Sequence, residues 1–193
     1  MTPSSDGHAA GAIVFVGPMG AGKSSLGKRV ARALGLPFTD TDTAIVRAHG
    51  PIAELFAREG EARFREIERE AVRTALEGGG VVALGGGAVL SAETRERLRA
   101  HRVVLLTVDE TAIAHRIRGH KRPLLNGDVD PVAEWARIRA EREPLYAEVA
   151  DAVFDTSRGP TQRTVERIVA WLRGDEPADD ETTARAARTE EES

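Results

Sequence analysis

The sequence predicts an α/β fold, a parallel β-sheet with helices on both faces. Three observations lead there. Short runs of apolar, β-branched residues alternate with longer helical stretches, so successive strands are joined by helical crossovers. The clearest strand, residues 103–108, holds five apolar residues in six between Arg102 and Asp109. The first strand, residues 12–17, runs straight into Gly17-Pro18-Met19-Gly20-Ala21-Gly22-Lys23-Ser24 and then a helix, which is the setting of a phosphate-binding loop.

The remaining elements follow in order. Residues 23–34 read as a helix, 36–39 as a second short strand and 41–49 as a helix. Residues 52–59 and 61–77 read as two helices parted by Gly60. In the longer one Phe64, Ile67, Ala71 and Ala75 recur at spacings of three and four and form one apolar stripe. A third strand at 81–84 is stopped by Gly85-Gly86-Gly87. Ser91 is placed to cap a charged helix that runs to Arg99. After the strand at 103–108, residues 111–118 are helical, and 119–130, with Pro123 and Gly127, read as a mobile loop. A helix over 131–150 is expected to break before Pro144. A fifth strand at 152–154 and an amphipathic helix at 161–173 close the domain, and no internal repeat is present.

With 193 residues, 41% hydrophobic and 30% charged, the chain reads as one soluble domain with tails. No apolar run is long enough to span a bilayer, and residues 1–11 show no basic cluster followed by a long apolar segment, so no signal peptide is expected. The absence of cysteine rules out disulfides and thiolate metal sites, which fits a cytoplasmic protein. Of the net charge of −4, residues 175–193 hold −6 from eight carboxylates and two arginines, leaving +2 for residues 1–174. That acidic tail, without large apolar residues, reads as a disordered, solubilising extension in preference to an interaction arm. The weakly positive body suits small anions and argues against nucleic acid. The domain itself is expected to span residues 12–174.

The loop G-x-x-x-x-G-K-S is a nucleoside triphosphate cradle. Its glycines let backbone N–H groups converge on phosphate oxygens at a helix N-terminus. Lys23 would reach the β- and γ-phosphates and Ser24 would ligate Mg²⁺. Only three of the 27 basic residues are lysine (Lys23, Lys28 and Lys121), so a lysine at this place is not a product of composition. The loop does not choose between a kinase and a GTPase or ATPase. Asp40-Thr41-Asp42 ends the second strand. Its two carboxylates suit a water-bridged Mg²⁺ and an acceptor hydroxyl, or else an N-cap for the next helix. Gly85-Gly86-Gly87 is either a flexible turn or a place where backbone approaches a ligand. Arg65, beside Phe64, would grip a carboxylate bidentately or pair with Glu61, Glu66 or Glu68. Arg122 in the mobile loop would neutralise a transferring phosphoryl group as a lid closes, and Arg142 would face the cleft; the alternative for both is ordinary surface arginine. The five histidines show no metal-ligand spacing, His120 reads as a surface residue of the loop, and Trp135 and Trp171 read as core.

In order along the chain, G-P-M-G-A-G-K-S, D-T-D, F-R-E-I-E, L-G-G-G, R-P-L-L and R-E-P-L-Y resemble the shikimate kinase family over about residues 12–173. Those are small P-loop enzymes that phosphorylate the 3-hydroxyl of shikimate on the way to chorismate and the aromatic amino acids. The resemblance implies a P-loop three-layer sandwich with a five-stranded parallel sheet, a substrate-binding helical region and a mobile lid. It implies that Gly20, Ala21, Gly22, Lys23, Ser24 and Ser25 hold ATP with Arg122 and Arg158, and that Arg116 is a further nucleotide-side arginine. Asp42, Arg65, Gly86 and Arg142 would hold shikimate, with Lys23, Asp42 and Arg122 catalytic. Ser24, and Asp40 through water, would bind Mg²⁺. A cytoplasmic monomer is implied, with neither nucleic acid nor membrane as partner. A gluconate-type or nucleoside monophosphate kinase would be the alternative on the same scaffold. The first eleven residues and the acidic tail lie outside the family pattern.

Overall fold

The computed structural model describes residues 11–117 and 130–175. Its elements are β1 (Ile13–Val16), α1 (Lys23–Leu34), β2 (Phe38–Asp40), α2 (Thr41–His49), α3 (Ile52–Gly78), β3 (Val81–Ala83), a single 3-10 turn (Ala88–Leu90), α4 (Ala92–Leu98), β4 (Arg102–Thr107), α5 (Glu110–Ile117), α6 (Pro131–Val149), β5 (Ala152–Asp155) and α7 (Thr161–Arg173). The strands form one parallel sheet in the order β2-β3-β1-β4-β5. From β1 the chain first moves towards one edge, to β2 and β3, and then crosses to β4 and β5 on the other side. The loop after β1 therefore opens at the point where the winding reverses, where open α/β sheets bind their ligands.

Side-chain alternation along the strands makes the three layers. Ile13, Phe15, Val104, Leu106 and Phe154 face one way and pack under α1 and α7 with Ile113 and Trp135. Val14, Val16, Val82, Val103 and Leu105 face the other way and meet Val72 and Leu76 of α3, Leu98 of α4 and Tyr146 of α6. A small satellite core, Ile45, Leu55, Phe64 and Ile67, binds α2 to α3 apart from the sheet. The resemblance implied a separate helical region, and α2 with α3 forms one. Among the described residues no helix is long and apolar enough to cross a membrane.

Beyond shifts of one residue at several ends, two elements differ from expectation. The second strand begins at Phe38 instead of Leu36, which is 40% exposed, because the strand pairs with β3 only from Phe38↔Val81 onward. The expected break before Pro144 does not occur, and α6 runs unbroken through it. Proline removes one N–H, while the buried Trp135 on one side and Tyr146 and Val149 on the other hold both halves to the core. Gly60 does interrupt α3, with φ 79° and ψ 170°, as its place between the two apolar patterns suggested. Ser91 caps α4, accepting from the Thr94 N–H at 3.2 Å. The lid expected at 119–130 lies outside the described residues except for Asp130, as do residues 1–10 and 176–193.

Candidate active site

The phosphate loop joins β1 to α1 through Gly22, whose φ of 91° is open to glycine at little strain. No side chain caps α1 and its first turn holds no acidic residue, so its N-terminal N–H groups and dipole are left for an anion. Lys23 Nζ lies back across the loop and donates to the carbonyls of Gly17 at 2.7 Å and Pro18 at 2.9 Å. Ser24 Oγ donates to Asp40 Oδ2 at 2.5 Å, while Asp40 Oδ1 accepts from the Thr43 N–H at 2.8 Å. Asp40 is thus the N-cap of α2, the second of its two readings, and at the same time the neighbour of Ser24.

Opposite the loop, three helices each bring a charged side chain to the Gly85–Gly87 turn. Asp42 stands in the first turn of α2 against Gly85, where an added Cβ would lie 2.5 Å from its Oδ1. Arg65 of α3 stands against Gly87, where a Cβ would lie 2.5 Å from its Nη1. These two glycines make room for the Asp42 and Arg65 side chains, a close approach of a different kind from the ligand contact the sequence offered as one option. Between them, the Gly86 carbonyl accepts from Arg142 Nη1 at 3.1 Å and Tyr146 Oη at 2.6 Å, both from α6. Arg142 Nε is buried and makes no hydrogen bond.

The role of Thr41 escaped the sequence reading, whereas Glu68 and Glu61 were among the glutamates it offered as partners of Arg65. Thr41, fully buried, donates to the Ala83 carbonyl at 3.3 Å and accepts from the Gly85 N–H at 3.1 Å, which ties the start of α2 to the end of β3. Glu68, 5% exposed, accepts from Arg65 at 2.7 Å, with Glu61 adding a second, exposed contact at 3.2 Å. Buried charge is tolerated where it is paired like this. Tyr146 stood within the R-E-P-L-Y pattern, four residues after Arg142, which puts both on one helix face. Burial pushes its hydroxyl up to about 12, so it remains a donor at any working pH.

The electrostatics single out Asp42. Burial, then the neighbouring Asp40, push its carboxyl up to about 6; Glu68 adds to this, while Lys23 and Arg65 oppose it. Such a group is ionised just above pH 6 and can still take a proton there. Arg116 donates to the Gly20 carbonyl at 2.9 Å and also to Thr156, so it reaches the phosphate loop. Ser25 and Arg158 are exposed, the one in the first turn of α1 and the other on the turn after β5. Arg122 lies outside the described residues. Trp135 is core, as expected, being 2% exposed, and Trp171 packs against the same cluster.

The phosphate loop and the Gly85–Gly87 turn thus share one edge of the sheet. The family model for shikimate kinase matches residues 19–173. The chain belongs to the shikimate kinase family. It is 50% identical to the shikimate kinase of Streptomyces coelicolor over 79% of this chain and 90% of that protein. Against the shikimate kinase of Mycobacterium avium the identity is 47%, over 82% of this chain and 92% of the other. A shikimate kinase from Acinetobacter baumannii, solved in complex with shikimate, superposes with a TM-score of 0.81 at 33% identity, covering 86% of this chain and 95% of that one. The chain is accordingly an ATP-dependent kinase of shikimate.

Proposed function

We propose that this chain moves the γ-phosphoryl group of ATP to the 3-hydroxyl of shikimate across the cleft between residues 17–24 and the Gly85–Gly87 turn. The observation that supports this reading best is the grouping of Asp42, Arg65 and Arg142 around that turn, with the second carboxylate there, Glu68, paired to Arg65. A small hydroxylated carboxylate fits such a set, with its carboxylate on the two guanidinium groups and the Gly86 backbone and its hydroxyls on Asp42. Arg65 is held in place by Glu68 and Arg142 by the Gly86 carbonyl, so little ordering remains to be done on binding.

On the donor side, Gly20, Ala21, Gly22, Ser24 and Ser25 would cradle the phosphates. Lys23 would exchange its two loop carbonyls for the β- and γ-oxygens, and Arg116 and Arg158 would lie on the nucleotide side. Arg122 is assigned to the same phosphates from sequence alone. Ser24 Oγ and the Asp40 carboxylate, already in contact, are hard oxygen donors suited to Mg²⁺, with Asp40 acting through water. When bound, Mg²⁺ supplies charge neutralisation on the phosphate oxygens. Asp42 orients the acceptor hydroxyl and, being ionised above about pH 6, receives its proton. Phosphoryl transfer needs little else from a protein than this alignment and charge stabilisation.

A coupled ADP-release assay with ATP, Mg²⁺ and shikimate should show turnover. Turnover with gluconate or a nucleoside monophosphate, and none with shikimate, would overturn the reading. Arg65→Ala should raise KM for shikimate about 10- to 100-fold, the loss of a charge-assisted pair, and leave KM for ATP unchanged. Equal loss towards both substrates would show that the acceptor site is elsewhere.

A further inference from the structure

The carbonyls of residues 17–21 in the phosphate loop all accept hydrogen bonds. Those of Gly17 and Pro18 accept from Lys23, that of Gly20 from Arg116 and that of Ala21 from Thr156 Oγ1 at 3.0 Å. The Met19 carbonyl accepts from the indole Nε1–H of Trp135 at 2.9 Å. Trp135 is 2% exposed and lies two helical turns before Arg142 on α6, with the Arg139 guanidinium 5.8 Å from its ring centroid. Its ring has a packing role, but packing alone calls for no N–H, and a buried indole N–H is one that must find an acceptor.

We propose that Trp135 is a positioning residue for the nucleotide: its N–H fixes the Met19–Gly20 peptide so that the Gly20 N–H faces the phosphates. A trans peptide is planar, with its C=O and N–H pointing in opposite directions. Holding the Met19 oxygen towards α6 therefore turns the Gly20 N–H to the side away from α6. Gly20 sits at φ 82° in a turn that the Ala21 N–H closes on the Pro18 carbonyl at 3.3 Å, with the Ile113 side chain packed where a Cβ would lie, and the indole is the side-chain donor on the oxygen of the Met19–Gly20 peptide itself. Without the indole donor the peptide keeps only the turn bond and the Arg116 contact on either side of it, and one donor of the anion cradle is held less firmly in direction. The inference rests on the nucleotide half of the proposed function and not on the acceptor half.

The test replaces Trp135 by 3-benzothienylalanine, which keeps the bicyclic shape and loses only the N–H. Trp135→Phe serves as a second, genetically simple variant. Calorimetric titration with ADP and Mg²⁺, and separately with shikimate, gives the two dissociation constants, and thermal unfolding reports on the fold. The dissociation constant for ADP should rise about three- to tenfold in the isostere, the range expected for one lost hydrogen bond, with shikimate affinity and Tm unchanged. Unchanged ADP affinity in the isostere overturns the proposal. Equal weakening of both ligands with a lower Tm overturns it too, since it would make the indole N–H a stabiliser of the whole fold. If the parent protein bound ADP but not shikimate, the acceptor reading would fail while the ADP comparison still judged Trp135.

Discussion

Asp42 carries a buried carboxylate that costs the fold stability. Its carboxyl is pushed up to about 6 from 3.8, first by burial and then by Asp40. Between those values the folded chain binds a proton that the unfolded chain has lost, so stability falls as pH rises through that window and stays low above it. Asp42→Asn removes the buried charge. It should stabilise the protein at about pH 8 by on the order of 1–2 kcal/mol, allowing for the side chain's partial solvent access, and the gain should shrink below pH 6 and vanish near pH 3.5. The same variant should lose about 10²- to 10⁴-fold in kcat, and the parent's kcat/KM should fall on the acid side near pH 6. Urea melts at several pH values and a pH–rate profile check both; a variant no more stable at pH 8 would refute the buried-charge account. Asp42 was visible in the sequence because Asp40-Thr41-Asp42 ends a strand beside a phosphate loop. Thr41 between them was not, since its role rests on Ala83 and Gly85, which the sequence does not place next to it.

Among the elements, α3 and α6 show what local pattern reveals and what it hides. The stripe Phe64, Ile67, Ala71 and Ala75 correctly drew the longer part of α3, and Gly60 correctly marked its interruption. At φ 79° and ψ 170° Gly60 occupies backbone space that is nearly closed to other residues, yet an added Cβ would touch nothing within 4 Å. Gly60→Ala should therefore cost about 1–3 kcal/mol through backbone strain alone. Chemical denaturation measures this, and a neutral result would mean that the break is not required. For α6 the local signal misled, because Pro144 argues for a break and the helix's apolar residues are scattered among charges. Packing of Trp135 and Tyr146 into opposite layers of the core outweighed it, and the resulting straight run sets Trp135 on the phosphate loop and Arg142 on the acceptor turn.

At the scale of the molecule, the sheet is the frame to which both half-sites are fixed. Leu106 of β4 is fully buried beneath α1 and α7, and its carbonyl lies where a Cβ on Gly17 would fall, at 2.2 Å. Leu106→Ala should destabilise the protein by about 2–5 kcal/mol and lower Tm by on the order of 5–15 °C. Urea unfolding should show a lower midpoint at unchanged m, and an unaltered midpoint would place Leu106 outside the tightly packed core. From sequence alone came the order and kind of nearly every element, the phosphate loop and the residues ranged around it. These are written in local periodicity, caps and glycine spacing, which act between residues a few positions apart. Only the tertiary structure decided that Arg65 pairs with Glu68 and Glu61 while Glu66 turns to Arg63. It alone decided that Arg142 and Tyr146 meet at a carbonyl 56 and 60 residues away, and that an indole N–H holds the loop at Met19. Those contacts are set by how helices pack across a closed sheet edge, where distance along the chain has no bearing on which donor finds which acceptor.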